Sequence, residues 1–261
     1  MEGSKFVDLH IHTKHSDGKH TVAEVLKMAE DEGLVAISIT DHDNVNAYAE
    51  IDKSLYSGKI IPGIEITAMH NGVLVHILGY GIDLDKARKK IRELTEPMRL
   101  EFAAKKLGQR FNMEFDVKYR NGDLTFMPLL EELQKHFPEI DLNIARPGWT
   151  YIFRHGSKFN VDFSELFYSS EEAIKAIHEC GGLAVLAHPI QYHVHADKIL
   201  DDLRGILDGV ECYHPEHTPE YRDKLLQFCK DNNLIVTGGS DFHKGELNTQ
   251  KVPFDVENPL L

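Results

Sequence analysis

Apolar and polar positions follow one another in two rhythms along this chain, short β-type runs and longer stretches of helical period. Phe6–His12 (FVDLHIH) and Val35–Thr40 (VAISIT) read as strands. Lys59–Thr67 (KIIPGIEIT) and Val73–Tyr80 (VLVHILGY) read as two more, joined around Asn71-Gly72, a hairpin signal. Thr21-Val-Ala-Glu24 is a capping box, followed by Val22, Val25, Leu26 and Ala29 at helical spacing and a stop at Gly33. A further helix is expected near Asn44–Leu55. Late in the chain, Ser170–Cys180 predicts a helix closed by Gly181-Gly182, and Leu183–Ala187 a strand ending at His188-Pro189. Gly209–Tyr213, a helix near Pro219–Asn232, and Ile235–Gly239 repeat the strand–helix–strand theme.

Such alternation predicts a mostly parallel α/β architecture. No Gly-rich phosphate fingerprint follows the first strand, which favours a barrel over an open nucleotide-binding sheet. Residues from about Asp83 to Ser169 read differently, as mainly helical over Leu84–Leu107, Leu124–His136 and Ile144–Phe153. The expected organisation is therefore a barrel built from residues 1–82 and 170–261, with an inserted helical cap over residues 83–169.

Composition narrows the class. The chain has 261 residues, 42% hydrophobic and 27% charged, as in an ordinary soluble enzyme. No apolar run approaches the roughly 18 residues of a membrane span. The opening MEGSKFVDL lacks a secretory core, so a cytoplasmic location is expected. Cys180, Cys212 and Cys229 are scattered, which argues against a disulfide framework and a thiolate zinc site and for buried, reduced packing residues. The net charge of −13 weighs against binding extended duplex nucleic acid through a basic face. Bound cations would reverse that sign locally.

Histidine is the anomalous count, at 16, and the metal-competent residues fall where strands stop. In a parallel barrel those ends share one face, and the loops there build the active site. His10 and His12 are two apart on a strand, so both side chains point to the same side and can meet one ion. Asp41-His42-Asp43 closes the second strand, Glu65 sits in the third, and His76 interrupts an apolar run. His188 ends LAVLAHP, and Asp241 and His243 follow the last strand in GGSDFH. A single histidine in an apolar strand is more often a hydrogen-bonded core residue, but core accidents explain the recurrence at end after end poorly. Imidazole and carboxylate without thiolate suit Mn²⁺, Fe²⁺ or Zn²⁺.

The motifs DLHIHTKHSDG, ITDHD, GIEIT, VHILGY, LAHP and GSDFH, in that order, resemble those of the PHP (polymerase and histidinol phosphatase) family of metal-dependent phosphoesterases. The resemblance covers Phe6–Tyr80 and about Ser170–His243. It implies a distorted (β/α)7 barrel of the PHP type and two to three divalent metal ions as cofactors. Carried over by residue, it implies that His10, His12, Glu65 and Asp241 hold one ion. Glu65 would bridge to a second, completed by His76 and His188, and Asp17, His42 and His243 would hold a third. The implied chemistry is attack of a metal-activated water on phosphorus, with no protein nucleophile. Ser240 is then a loop residue, while Asp41 and Asp43 orient a ligand or cap a helix, and His214 supports the ligands or the leaving group.

The helical insertion, the run EEAIKAIHECGGLAVLAHP and the segment GVECYHPEHTPEY are similar to the subgroup that cleaves nucleoside monophosphates, 3′,5′-bisphosphate nucleotides or short oligonucleotides. Arg146-Pro147 matches the start of an Arg-Pro-His segment of that subgroup, with Gly148 in place of the histidine. Arg146, Arg154, Lys158 and His15 are the candidate substrate contacts. His193-Val194-His195, His20, His70, His136, His155 and His178 read as residues outside the site, and His217 as one that could face it. Histidinol phosphate is a rival substrate. An amidohydrolase-type C–N hydrolase is a rival chemistry, but it calls for a bridging lysine on a mid-chain strand, and none is seen.

Overall fold

The computed structural model describes residues 6–119, 126–144, 147–153, 156–245, 247 and 252–253. Its first strand, β1 (Phe6–Ile11), runs into helix α1 (Val22–Asp31) and strand β2 (Ala36–Ile39). The capping box forms: Thr21 Oγ1 accepts the Glu24 N–H, and Glu24 Oε2 accepts the Thr21 N–H at 2.7 Å. Val22, Val25, Leu26 and Ala29 are the buried face, as the spacing requires.

The helix expected near Asn44–Leu55 is reduced to one 3₁₀ turn, Asn46–Ala49. Polar side chains take the backbone donors a helix would need: Asn44 Oδ1 accepts from Asn46 N, and Asp52 Oδ1 from Ser54 N. The expected strand Lys59–Thr67 is two strands, β3 (Lys59–Ile60) and β4 (Gly63–His70), divided at Pro62. Proline has no N–H to give to a ladder, and the chain changes sheets there. β4 and β5 (Val73–Tyr80) form an eight-pair antiparallel hairpin that turns at Asn71-Gly72.

After α2 (Leu84–Lys90) come α3 (Glu96–Phe111), α4 (Met127–His136) and a π-helical turn, Trp149–Phe153. The single helix expected over Leu84–Leu107 is thus α2 plus α3, with Thr95 before α3 and Pro97 in its first turn. The later elements are β6 (Tyr168–Ser169), α5 (Ser170–Glu179), β7 (Leu183–Leu186), a 3₁₀ segment (Pro189–His195), α6 (Ala196–Leu203), β8 (Gly209–Tyr213), α7 (Pro219–Asn232), β9 (Ile235–Gly238) and β10 (Val252–Pro253).

The α/β class is met, but the described strands do not close into a barrel. They make a four-stranded sheet, β10-β1-β2-β3, and a six-stranded sheet, β6-β4-β5-β7-β8-β9. β1, β2 and β3 are parallel, as are β7, β8 and β9, while the β4–β5 and β5–β7 pairings are antiparallel. Two isolated parallel bridges, Ile11 with Phe242 and His42 with Glu65, link the sheets. Two of those four residues, His42 and Phe242, lie in loops beyond a strand end, where one pair forms and the chain then diverges. A buried cluster of Val7, Leu9, Ala36, Leu78, Tyr80, Val185 and Ala187 draws on both sheets.

The chain divides into two units, Met1–Glu93 with Tyr168–Leu261, and Leu94–Phe167. The second contains α3, α4 and the π turn, and its interior is rich in phenylalanine: Phe163 meets the rings of Phe102, Phe126, Phe153 and Phe167. Cys180, Cys212 and Cys229 are buried free thiols. Among the described residues no helix is long and apolar enough to cross a membrane.

Candidate metal centre

Strand β1 brings His10 and the following His12 to one point. Their Nε2 atoms are 3.1 Å apart, and both rings are fully buried. Glu65, buried on β4, sets Oε2 3.2 Å from His10 Nε2 and 3.1 Å from His12 Nε2. Asp241, in the loop after β9, sets Oδ1 3.4 and 3.3 Å from the same two nitrogens. Gly239 permits this closeness. A Cβ there would lie 2.4 Å from both the backbone N and the Cβ of His10.

The other oxygen of Glu65 faces a second pair. Oε1 lies 3.1 Å from His76 Nδ1 on β5 and 3.1 Å from His188 Nε2 beyond β7, and those nitrogens are 3.3 Å apart. A third group gathers at Asp17. Its Oδ2 lies 3.1 Å from His243 Nε2 and 3.9 Å from His42 Nε2, and its Oδ1 lies 3.6 Å from His12 Nδ1. His42 also turns Nδ1 to Glu65 Oε2, at 3.2 Å. The structure thus brings together all nine residues expected at the site, with His12 and His42 each facing two groups.

Several nitrogens and carboxylate oxygens lie within 3.1–3.4 Å of one another, too many for mutual hydrogen bonding. Glu65 Oε2 has three imidazole nitrogens within 3.2 Å, yet it is buried without a hydrogen-bond partner, as are His42 Nδ1 and His188 Nδ1. Paired nitrogens at 3.1 and 3.3 Å facing one carboxylate make a donor set that fits divalent cations of the imidazole-binding kind. The electrostatics agree. Burial opposes charge on His10, but Glu65, Glu211 and Asp241 outweigh it and hold its pKa well above the usual value. Burial likewise opposes charge on His12, yet Asp241 and Glu65 raise it to about 10. Glu65 and Asp241, although desolvated, are held well below the carboxylate range by the facing imidazoles. A cation in place of those protons would meet the same negative field.

Around these clustered residues stands a layer of fixed hydrogen bonds. Asp41 accepts from Thr13 N, Thr13 Oγ1 and Ser16 Oγ, each at 2.7 Å, and so shapes the loop between His12 and Asp17. Asp43 ties its loop to β4, its Oδ1 accepting from Thr67 N at 2.8 Å. His214 Nδ1 accepts from Glu216 N, leaving Nε2 as the donor that faces Asp241 Oδ2 at 3.5 Å. Ser240 donates N–H and Oγ–H to the buried Asp8, consistent with a loop role.

Two participants escaped the sequence reading. Asp8 accepts from His10 N and Ser240, and Glu211 on β8 contacts His10 Nδ1 at 3.0 Å and His188 N at 2.7 Å. Both had a signal, a carboxylate inside an otherwise apolar strand, and Asp8 also shares the alternation of His10 and His12.

The expected substrate contacts fare differently. Arg146 and Arg154 lie outside the described residues, as does His155. Lys158 lies in the Leu94–Phe167 unit, paired with Glu139 and set over the Phe137 and Phe159 rings, which accounts for it without a ligand. His15 pairs with Glu50 at 3.1 Å. Gly148 stands where a Cβ would come within 3.3 Å of the Phe126 ring, a tight fit for any side chain. Of the remaining histidines, His70 joins Ser170 and Asp202, His178 joins Asp208, and His217 gives Nδ1–H to Cys212 O. His193 and His195 are exposed.

The chain matches the PHP domain model over residues 8–236 and belongs to that family. It is 27% identical to the phosphoribosyl 1,2-cyclic phosphate 1,2-diphosphodiesterase of Eggerthella lenta, over 90% of this chain and 93% of that one. It is 28% identical to the 5′-3′ exoribonuclease Rnm of Escherichia coli K12, covering 91% and 85%. It is also 28% identical to the 3′,5′-nucleoside bisphosphate phosphatase of Chromobacterium violaceum, covering 91% and 87%. Among solved structures, its fold is similar to an amidohydrolase from Chromobacterium violaceum with bound sulfate and no metal, at TM-score 0.72 and 24% identity over 97% and 94% of the two chains. It is also similar to a candidate metal-dependent phosphoesterase from Bifidobacterium adolescentis, at TM-score 0.69 and 24% identity over 95% and 93%.

Proposed function

We propose that this chain is a metal-dependent phosphoesterase that hydrolyses phosphate esters of nucleotides, such as nucleoside monophosphates and 3′,5′-bisphosphates, or of short oligonucleotides. The observation that carries the reading is Glu65, one buried carboxylate whose two oxygens each face a separate pair of imidazole nitrogens. His10, His12, Glu65 and Asp241 would hold one divalent ion, Glu65, His76 and His188 a second, and Asp17, His42 and His243 a third. Mn²⁺, Fe²⁺ and Zn²⁺ are the ions this donor set favours. When bound, such ions supply charge for phosphoryl oxygens and lower the pKa of water.

The chain's own residues do the rest. Glu65 fixes the spacing of the first two groups, because both oxygens belong to one rigid carboxylate. Asp41 holds the Thr13–Ser16 loop and so sets Asp17 at the rim, where its side chain is 46% exposed. His214, with Nδ1 already committed, keeps its proton on Nε2 towards Asp241. His42, which burial pushes well below the usual imidazole value, stays neutral and able to ligate at neutral pH. Selectivity among phosphate esters is assigned to the inserted segment 83–169, with Arg146 and Arg154 as the anion contacts. Amidohydrolase chemistry through a bridging lysine has no support, since among the described residues no lysine is buried.

The test is phosphate release by the Mn²⁺-loaded protein from AMP, a 3′,5′-bisphosphate nucleotide, a short 5′-phosphorylated RNA and histidinol phosphate. Turnover of one or more of the nucleotide substrates is expected. No turnover of any of them would contradict the proposal, and activity on histidinol phosphate alone would overturn the substrate class.

A further inference from the structure

Glu211 is a carboxylate in the middle of β8 (Gly209–Tyr213), 0% exposed, between Val210 and Cys212, which are also 0% exposed. Burying an ionised carboxylate costs several kcal/mol unless its oxygens are satisfied. Here each oxygen is used, and on a different group. Oε1 lies 3.0 Å from His10 Nδ1, and Oε2 accepts the backbone N–H of His188 at 2.7 Å. Those residues belong to the two pairs that Glu65 separates.

We propose that Glu211 is a positioning residue that sets the two principal metal-holding pairs at once, through a ring on one side and a backbone on the other. The inference rests on the reading of these pairs as metal centres. An ionised carboxylate only accepts, so His10 Nδ1 must carry the hydrogen. Once a cation takes the place of the Nε2 proton, the ring would be neutral with its hydrogen on Nδ1 and would present the Nε2 lone pair on the side of His12, Glu65 and Asp241. His188 is held differently. Its Nδ1 is buried without a partner, so no hydrogen bond from behind orients its ring. Its backbone, at φ 25 and ψ 64, lies in a region that non-glycine residues rarely adopt. The 2.7 Å bond from its N–H to Glu211 fixes the N-terminal side of this strained residue, while its carbonyl accepts from Gln191 N at 3.0 Å, and together they set the aim of Nε2 at Glu65 Oε1.

Glutamine at position 211 is nearly isosteric but has one acceptor for two donors. If its amide nitrogen faces His188, two N–H groups oppose each other and the strained backbone loses its anchor. If the nitrogen faces His10, the ring must accept at Nδ1, and the hydrogen moves to Nε2, the atom that should ligate. Either arrangement damages one pair.

The experiment titrates metal-free wild type and Glu211→Gln with Zn²⁺ alone against a chromophoric chelator, and records long-range ¹H–¹⁵N spectra of the zinc-loaded proteins. The wild type should bind at least two ions and show a protected, hydrogen-bonded His10 Nδ1–H. In Glu211→Gln, one ion or both should bind about 10–100-fold more weakly. Melting curves establish the folded fraction, because a merely structural role would lower stability without altering the zinc affinity of folded molecules. Wild-type zinc affinity in the folded variant would overturn the positioning role. A wild-type spectrum without the His10 Nδ1–H signal would overturn it too, even if the variant failed to fold. Failure of the wild type to bind zinc would instead overturn the metal-centre reading on which the role depends.

Discussion

His12 and His178 each stand beside a carboxylate, but only His12 belongs to the proposed site. His178 is half-exposed on α5 and pairs with Asp208 alone. His12 is buried, and its two nitrogens face Glu65 and Asp241 on one side and Asp17 on the other. His12→Ala should therefore lower metal-dependent phosphate release at least about 100-fold, more than losing a supporting residue costs. His178→Ala should leave kcat/KM within about twofold. Steady-state assays of both variants check this, and equal effects would show that the site is misplaced. The same field sets a pH dependence. In the metal-free protein the raised pKa of His12, about 10, stabilises the fold fully below the unfolded value of 6.5, and this contribution is lost as pH rises towards 10. The lowered pKa values of Glu65 and Asp241 stabilise above their ordinary values of 4.5 and 3.8, and that contribution is lost as pH falls below them. Metal uptake must displace the His12 proton, so Zn²⁺ affinity should rise with pH between 6 and 8. Calorimetry in buffers of different ionisation enthalpy should show protons released on binding. At this scale the sequence made the clustered residues legible, because motif order and strand alternation mark them. Glu211 and Asp8 left only the signal of a carboxylate in an apolar run, because the contacts of Glu211 with His10 and His188, and of Asp8 with Ser240, form only in the fold.

At the scale of elements, the strand ends were well placed and the joints between them were not. Capping boxes and hairpin signals are local, so α1 and the β4–β5 hairpin could be read directly. Pro62 was visible too, but its effect, moving the chain from one sheet to the next, depends on pairing partners far along the chain. The 3₁₀ turn at Asn46–Ala49 reflects side-chain bonds and Tyr48, whose hydroxyl meets Ile39 O and Ile61 O, contacts no periodicity reports. Gly239 shows how tightly β1 and the loop after β9 are pressed together. Gly239→Ala should destabilise by about 1–3 kcal/mol through overpacking and weaken Zn²⁺ binding as His10 is displaced. Thermal melts and zinc titration check both effects. His70, which joins β4 to α5 and α6 through Ser170 and Asp202, gives the contrast. His70→Ala should lower stability by about 1–3 kcal/mol through buried groups left unpaired, with zinc affinity unchanged.

The whole molecule carries a net charge of −13 and concentrates carboxylates and imidazoles between two sheets joined there by single bridges. The α/β class followed from element order alone, whereas sheet closure depends on long-range pairing that one-dimensional patterns do not encode. Ions bound across that junction would tie β1, β4, β5 and the loops after β7 and β9 to one another. Zn²⁺ at about 100 times its Kd should then add about 2.7 kcal/mol per independent site, read as a higher Tm that a chelator reverses. The central claim is that the residues around Glu65 form a divalent-metal centre that hydrolyses phosphate esters. The most direct test is kcat/KM for phosphate release from a 3′,5′-bisphosphate nucleotide, for wild type and Glu65→Gln at equal Mn²⁺. Turnover that a chelator abolishes in the wild type, and a loss of at least about 100-fold in the variant, is the predicted result. Turnover that survives chelation, or a variant within about twofold of wild type, would contradict the account.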